Sequence, residues 1–240
     1  MTVALGASSL AGSTLPPNSV RGDVTDARGK PDANALVWIQ PSVTTGVVQV
    51  RTDAHGKYEA TNLPDIPYNA FAWTQVEYDG QEFCLRLAAD DDSQDASFTP
   101  KSGVLRDFKW KLSGRLPDMT ALTDFFGDRV QLTNGDDSDG AFVDEDDTVE
   151  VTFEPTQPLA DGSAGTRVQK RVSMNDVPLG TYRVTAHEVH DYASGEPLLI
   201  GTSYGKLGES AKFKFKPTRG CGGQGSGIAR GFLYVAHAPR

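Results

Sequence analysis

A degenerate internal repeat constrains the fold of this 240-residue chain more than any other feature. Residues 63–72 (LPDIPYNAFA) return at 177–186 as VPLGTYRVTA, with an apolar residue, a proline, a tyrosine and an alanine at matching positions. A second pair follows in the same order, because residues 103–110 (GVLRDFKW) are matched at 227–234 (GIARGFLY). Self-similarity that keeps its order along the chain indicates that one structural module occurs twice.

Turn-forming residues are spread along the whole chain. The 25 glycines and 14 prolines do not gather in a linker, and this distribution favours many short strands over long helices. We therefore predict an all-β fold of two tandem Ig-like or prealbumin-like antiparallel β-sandwich domains. The predicted parts are a tail or docking arm at 1–17, a first sandwich at 18–112 and a second, diverged sandwich at 113–240. The sequence leaves open whether the two sandwiches pack rigidly or hinge near Ser113.

Alternating side chains predict individual strands. Along residues 70–75, alanine and threonine alternate with two aromatic residues and a glutamine, which predicts a strand with two different faces. Residues 78–81 (YDGQ) then predict a tight hairpin turn, and residues 212–216 (KFKFK) show the clearest period of two. A Phe-x-Pro tripeptide, beginning at Phe98 or Phe215, precedes each copy of the second repeat.

Turn glycines and apolar strand positions follow one another in a recognisable order in the first module, at 22–26, 29–31, 35–37, 52–58 and 63–68. In these residues the module resembles the carboxypeptidase regulatory-like family, a small sandwich of the prealbumin (transthyretin-like) type. The resemblance implies a fold more than a function, since its motifs are mostly turns and core positions. Asn34 stands where the family usually carries glycine, and asparagine tolerates the left-handed conformation that such a position requires.

Two enzyme families share parts of this sandwich, and neither signature is present in the sequence. Hydroxyisourate hydrolases end in Tyr-Arg-Gly-Ser, whereas this chain ends in His-Ala-Pro-Arg. Intradiol dioxygenases need a Tyr-His-x-Arg-x-His stretch, which the chain lacks. We therefore predict a protein that is not an enzyme.

Charge and hydropathy exclude two classes of partner. The 23 basic and 32 acidic residues give a net charge of −9, which repels phosphate backbones, so we predict no nucleic-acid binding. No apolar stretch approaches the roughly 20 residues that span a bilayer. The N-terminus has no basic region typical of an intact secretory signal. We expect either cytoplasmic synthesis with incorporation into a particle, or secretion with the signal removed.

An acidic segment is the candidate metal site of the sequence. We predict no cofactor, and calcium is the alternative, because the oxygen ligands of this segment suit it; the candidate ligands are Asp136, Asp137, Asp139, Asp144 and Asp146. An EF-hand alignment, however, puts Gly135 at the first ligand position, where a carboxylate is needed. A solvated acidic hairpin loop is therefore the favoured interpretation.

Three further features have a functional and a structural interpretation. His187 and His190 are metal-ligand types, but on one strand they face opposite ways. Cys84 and Cys221 occupy non-matching positions of the two modules, which favours two free thiols over a long-range disulfide. The glycine-rich stretch 220–227 offers backbone N–H groups to an anion, yet it leads into a strand and not a helix, which favours a flexible β connection.

These observations predict a non-enzymatic binding, adhesion or structural module that acts through loops and sheet edges, with a protein partner or further copies of itself. The alternative is a structural subunit of a larger particle, such as a phage, pilus or injection machine. A metal-dependent enzyme or a carbohydrate-binding protein comes third. For polysaccharide, the candidate stacking platform is Trp38, Trp73, Trp110 and Tyr78, although most such rings belong to cores.

Overall fold

The computed structural model describes residues 15–116, 125–135, 149–171, 174–190, 193–218, 220–223 and 225–238. These residues form nineteen β-strands and one short 3₁₀ helix, Asp92–Asp95. The all-β prediction is therefore confirmed. None of the described helical segments is long and apolar enough to cross a membrane.

The first module consists of nine strands in two sheets. One sheet has the order β4-β1-β9-β7, with β8 also beside β1, and the other has the order β3-β2-β5-β6. Its core lies between the sheets and includes Val24, Val37, Ile39, Ala72 and Phe108. The strands are β1 Val20–Thr25, β2 Leu36–Pro41, β3 Val48–Arg51, β4 Lys57–Ala60, β5 Tyr68–Tyr78, β6 Gln81–Arg86, β7 Ala88–Ala89, β8 Val104–Leu105 and β9 Phe108–Lys109.

The second module is built mainly on one sheet of eight strands that turns over on itself. Its order is β10-β19-β14-β13-β11-β12, with β15 beside β14 and β16 beside β13, and β17 and β18 pair separately. The strands are β10 Val130–Asn134, β11 Val149–Pro155, β12 Val168–Lys170, β13 Thr181–His190, β14 Ala193–Ser203, β15 Lys206–Gly208, β16 Ala211–Lys214, β17 Lys216–Pro217, β18 Ile228–Ala229 and β19 Gly231–Ala236. Strand β14 pairs with β13 near Leu198 and with β19 near Gly201, so the sheet wraps around a core that includes Phe153 and Leu233.

The internal repeat is visible in the topology. The first repeated segment begins β5 and β13, and its tyrosines, Tyr68 and Tyr182, are 3% and 0% exposed. The second repeated segment forms β9 and β19, each of which runs parallel to the first strand of its own module. These parallel pairs are exceptions to the predicted antiparallel arrangement. Strand β14 pairs with β13 in one part and with β19 in another. In the first module two strands fill these places, because β6 pairs with β5 and β7 pairs with β9.

One detail of the repeat differs from the sequence alignment. Tyr68 forms a bridge with Phe98, and Tyr182 pairs with Phe213, so Phe98 corresponds to Phe213 and not to Phe215. The shift is two residues, which leaves the same face of the strand toward the core. The precise domain boundaries at 17/18 and 112/113 stay predictions.

Candidate functional site: the junction between the two modules

The β5–β6 hairpin reaches beyond the core of its own module. Ala70 and Ala72 pack in the first core, as the alternation in the sequence predicts. Farther along the same face, Phe83 and Leu85 are 0% and 3% exposed and belong to the core of the second module. Since Val76 also packs there, the far end of the hairpin is part of the second module's interior.

The tip of this hairpin is a tight turn held by the second module. Asp79 and Gly80 have φ values of 49° and 74°, the left-handed conformations of the predicted hairpin turn. The Tyr78 hydroxyl donates to the carbonyl of Pro158 at 2.9 Å and accepts from the Thr181 N–H at 3.1 Å. Because Thr181 is 1% exposed, the hydrogen bond from its N–H satisfies a group that has little access to water, whereas Pro158 is at the surface.

Asp79 adds charge to the same contact. Its Oδ2 accepts a hydrogen bond from the Thr181 hydroxyl at 2.9 Å and forms an ion pair with Lys214. The Lys214 ammonium and the Thr181 hydroxyl hold the pKa of Asp79 below its usual value, since both interactions favour the carboxylate. Beside the tip, the Gln81 amide donates to the carbonyl of Phe215 at 3.0 Å. The hairpin tip is thus anchored by neutral and charged hydrogen bonds together.

The opposite face of β6 is covered by the described residues of the segment 220–227, namely 220–223 and 225–227, which we call the strap. The Arg86 N–H donates to the carbonyl of Ser226 at 3.0 Å. Gly222 has a φ of 88°, and a Cβ at this position would collide with the Trp38 ring. A Cβ at Gly227 would likewise collide with the Cys84 carbonyl. Glycine is needed in the strap because its backbone lies directly on the first module.

A disulfide joins the strap to the hairpin, and it corrects the prediction of two free thiols. Cys84 and Cys221 are bonded, with their Cα atoms 5.2 Å apart and a sequence separation of 137. The non-matching positions argued against pairing only on the assumption that each module keeps its own cysteine. Here the bond joins the modules, so the two cysteines have no reason to be equivalent in the repeat.

The aromatic residues predicted as a sugar platform lie largely in this junction. Trp73 is 3% exposed and contacts Trp38 edge-on at 4.9 Å, beneath the strap. The Arg86 guanidinium covers the Trp73 ring at 5.1 Å from its centroid. Trp110 packs against both cores, and Tyr78 is at the hairpin tip. The described structure thus places these rings in packing roles and does not align them on one open surface.

Of the predicted metal ligands, the structure describes the side chain of His187 alone. The five candidate calcium ligands, Asp136, Asp137, Asp139, Asp144 and Asp146, lie outside the part of the chain that the structure describes. His187 contacts the buried Glu150 at 3.3 Å, and Arg171 pairs with the same carboxylate at 2.8 Å. The structure does not describe the side chain of His190. Within the described ranges, no three His, Cys, Asp or Glu side chains are grouped as metal ligands.

Several junction residues carried no functional signal in the sequence. The turn at 78–81 is predicted correctly, but nothing local indicates that Asp79 meets Thr181 and Lys214. The one available signal was the pair of cysteines, because a bond between them brings the strap to β6.

Comparison with known proteins identifies the first module. Residues 19–99 match the family model of the carboxypeptidase regulatory-like domain. The resemblance predicted from the sequence is thereby confirmed for this module. The carboxypeptidase regulatory-like domain includes the hairpin tip and Cys84, whereas the strap with Cys221 lies outside it. No curated protein matches the sequence of the chain.

Several solved structures share general likeness with the chain. A DUF3823 family protein from Bacteroides uniformis is 12% identical, with a TM-score of 0.25, and the match covers 83% of this chain and 99% of that protein. A streptococcal ancillary pilin is 11% identical, with a TM-score of 0.29, covering 93% and 63%. The Bacillus anthracis TIE protein is 12% identical, with a TM-score of 0.28, covering 91% and 43%. At these scores the likenesses carry no argument about function.

Proposed function

We propose that this chain is a non-catalytic structural or adhesion module whose two β modules act as one mechanically rigid unit. The observation that carries the proposal is the burial of β6 on both faces by the second module. Phe83 and Leu85 enter that module's core on one face, while the strap is bonded to Cys84 on the other. Strand β6 cannot separate from the second module without breaking that module's core and a covalent bond.

The disulfide also indicates where the module works. Disulfides form and persist in oxidising environments, such as the cell surface, the periplasm and the extracellular space. We therefore place the module outside the cytoplasm, at a surface or in an extracytoplasmic assembly. Its partner would be a protein or further copies of the chain, as the sequence predicts.

Such a junction is suited to resist tension applied along the chain. The bond between Cys84 and Cys221 encloses a loop with a sequence separation of 137 residues. The enclosed loop cannot be extended while the bond is intact. At about 3.5 Å per extended residue, this reduces the maximum extension of the chain by about 480 Å. Force applied at the two ends therefore unravels only the residues outside the loop while the bond is intact.

Single-molecule pulling from the two ends of the full chain tests the proposal. We expect the oxidised protein to extend by about 480 Å less than the Cys84→Ser variant. We also expect the junction to open only together with the unfolding of a sandwich. Separation of the modules at forces well below those that unfold either sandwich, in both proteins, would contradict the proposed mechanical role.

A further inference from the structure

A cavity of about 200 Å³ lies where the strap meets the start of the second module. Its lining includes the strap residues Gly225 and Ser226, the two arginines Arg129 and Arg230, and the carboxylate residue Asp128. Apart from the Ser226 carbonyl, which accepts from the Arg86 N–H, these groups take no part in the hairpin contacts described above. The cavity therefore needs an explanation of its own, independent of the mechanical role.

The arginines supply hydrogen-bond donors that the described protein does not use. Arg129 is half-buried, and among the described residues its guanidinium has no hydrogen-bond or ion-pair partner. Arg230 makes one long contact, from Nη1 to the Gln131 Oε1 at 3.4 Å. A guanidinium carries five N–H donors in a planar fork that fits a carboxylate or phosphate in a bidentate manner. Two such groups on one cavity wall favour an anionic ligand.

The strap contributes a further donor. Ser226 is 7% exposed, and its Oγ accepts a hydrogen bond from the Ile228 N–H at 3.2 Å. Because a hydroxyl has one hydrogen to donate, the Ser226 O–H is left for a ligand. Gly225 and Gly227 flank it with φ values of 96° and 92°, so no side chain separates this backbone from the cavity.

The charge balance selects among anions. The described lining carries two arginines and one aspartate, which gives a formal charge of 2 − 1 = +1. This charge matches a single carboxylate, whereas Asp128 repels the second charge of a phosphate dianion. The lining also includes Leu116, Phe125 and Ile228, which suit a short apolar group, and Thr218 and Gly227. An oxygen of Asp128 can in turn accept a hydrogen bond from a donor next to the carboxylate.

We propose that this cavity binds a small organic carboxylate that carries a hydroxyl or ammonium donor beside the carboxyl group. Arg129 and Arg230 hold the carboxylate, Ser226 donates to it, and Asp128 accepts from the neighbouring donor. The site lies at the strap, so its ligand contacts the segment that joins the two modules.

Titration of the ¹⁵N-labelled full chain with L-lactate, acetate and inorganic phosphate tests this site. Lactate should shift the amide signals of Gly225, Ser226 and Gly227 in a saturable manner, and more tightly than acetate, which lacks the second donor. The Arg129→Gln variant should bind lactate at least about 10-fold more weakly, since it loses a charge-assisted bidentate contact. Arg183→Gln is the matched control, because Arg183 is on β13 with 58% of its side chain exposed.

Three results would overturn the assignment. The first is a lactate titration without saturation, and the second is equal lactate affinity in the Arg129→Gln and Arg183→Gln variants. The third is tighter binding of phosphate than of lactate, which would contradict the charge argument. A Ser226→Ala variant gives a second measurement, and its signals outside the cavity report whether the fold is intact.

Discussion

The two modules share the strands of the internal repeat but differ in how their cores are completed. The first core consists of residues from its own strands and connections, between Val20 and Phe108. The second core takes in Phe83 and Leu85 from the first module. The copy that matches the carboxypeptidase regulatory-like family thus builds its main core from its own residues, with the strap covering Trp38 and Trp73 outside that core, whereas the main core of the diverged copy is completed by its neighbour. The second core therefore depends on apolar surface that the first module supplies.

The largest effect on stability should come from removing a side chain that the first module contributes to the second core. Phe83→Ala should lower the free energy of unfolding by about 3–5 kcal/mol, because Phe83 is fully buried. Hydrogen exchange should show the loss mainly in β11 and β13, although the mutation is in the first module. Phe108→Ala is the matched control, and its effect should centre on β1 and β9. Loss of protection confined to the first module in both variants would contradict the asymmetry.

A smaller effect on stability should follow from a substitution that pushes the strap away from Trp38. Gly222 and Gly220 both have positive φ values, 88° and 71°, but only a Cβ at Gly222 meets the Trp38 ring. Gly222→Ala should therefore cost about 1–3 kcal/mol more than Gly220→Ala, in which the backbone strain is similar and space is free. Denaturant unfolding measures the difference, and Trp38 fluorescence reports the strap. Equal costs would show that the strap is not packed on Trp38.

The hairpin tip should give the next effect. Tyr78→Phe removes the hydroxyl that pairs the Pro158 carbonyl and the Thr181 N–H, and it should cost about 1–2 kcal/mol. Tyr234→Phe on the partly exposed outer face of β19 is the control, with an expected change below about 0.5 kcal/mol. Indistinguishable variants would mean that the tip is not anchored in solution.

The smallest effect concerns pH. Because the pKa of Asp79 is lowered in the folded protein, its contribution is present above the unfolded pKa of about 3.9 and is lost as pH falls through the folded value. The protection factor of the Thr181 amide, which corrects for the slower intrinsic exchange in acid, should therefore fall below about pH 4, and Asp79→Asn should remove this dependence. Asp53 also has a lowered pKa, from backbone hydrogen bonds in its own turn, so Asp53→Asn is the control and should leave Thr181 unaffected.

Local features of the fold could be predicted because their causes are close in sequence. The Asp53 carboxylate caps its own turn through the N–H groups of His55 and Lys57, as the Asp-x-x-Gly pattern indicates. Asn34 has a φ of 65°, the left-handed conformation expected where the family usually has glycine. The repeated tyrosines are buried at equivalent strand starts, because the same module imposes the same core position.

The junction could not be predicted because its contacts join residues far apart in sequence. The Tyr78 hydroxyl and the Thr181 N–H are separated by 103 residues, and no periodic pattern connects them. The cysteines were misassigned for the same reason, since pairing depends on how the modules pack. The candidate calcium ligands Asp136, Asp137, Asp139, Asp144 and Asp146 stay a prediction, because they lie outside the described residues.

Calorimetry of the oxidised full chain tests the central claim most directly. If the second core depends on Phe83 and Leu85, and the strap is bonded to β6, then neither module can melt while the other stays folded. The account predicts one cooperative transition, with a calorimetric enthalpy equal to the van't Hoff enthalpy. Two separate transitions, one for each module, would contradict it.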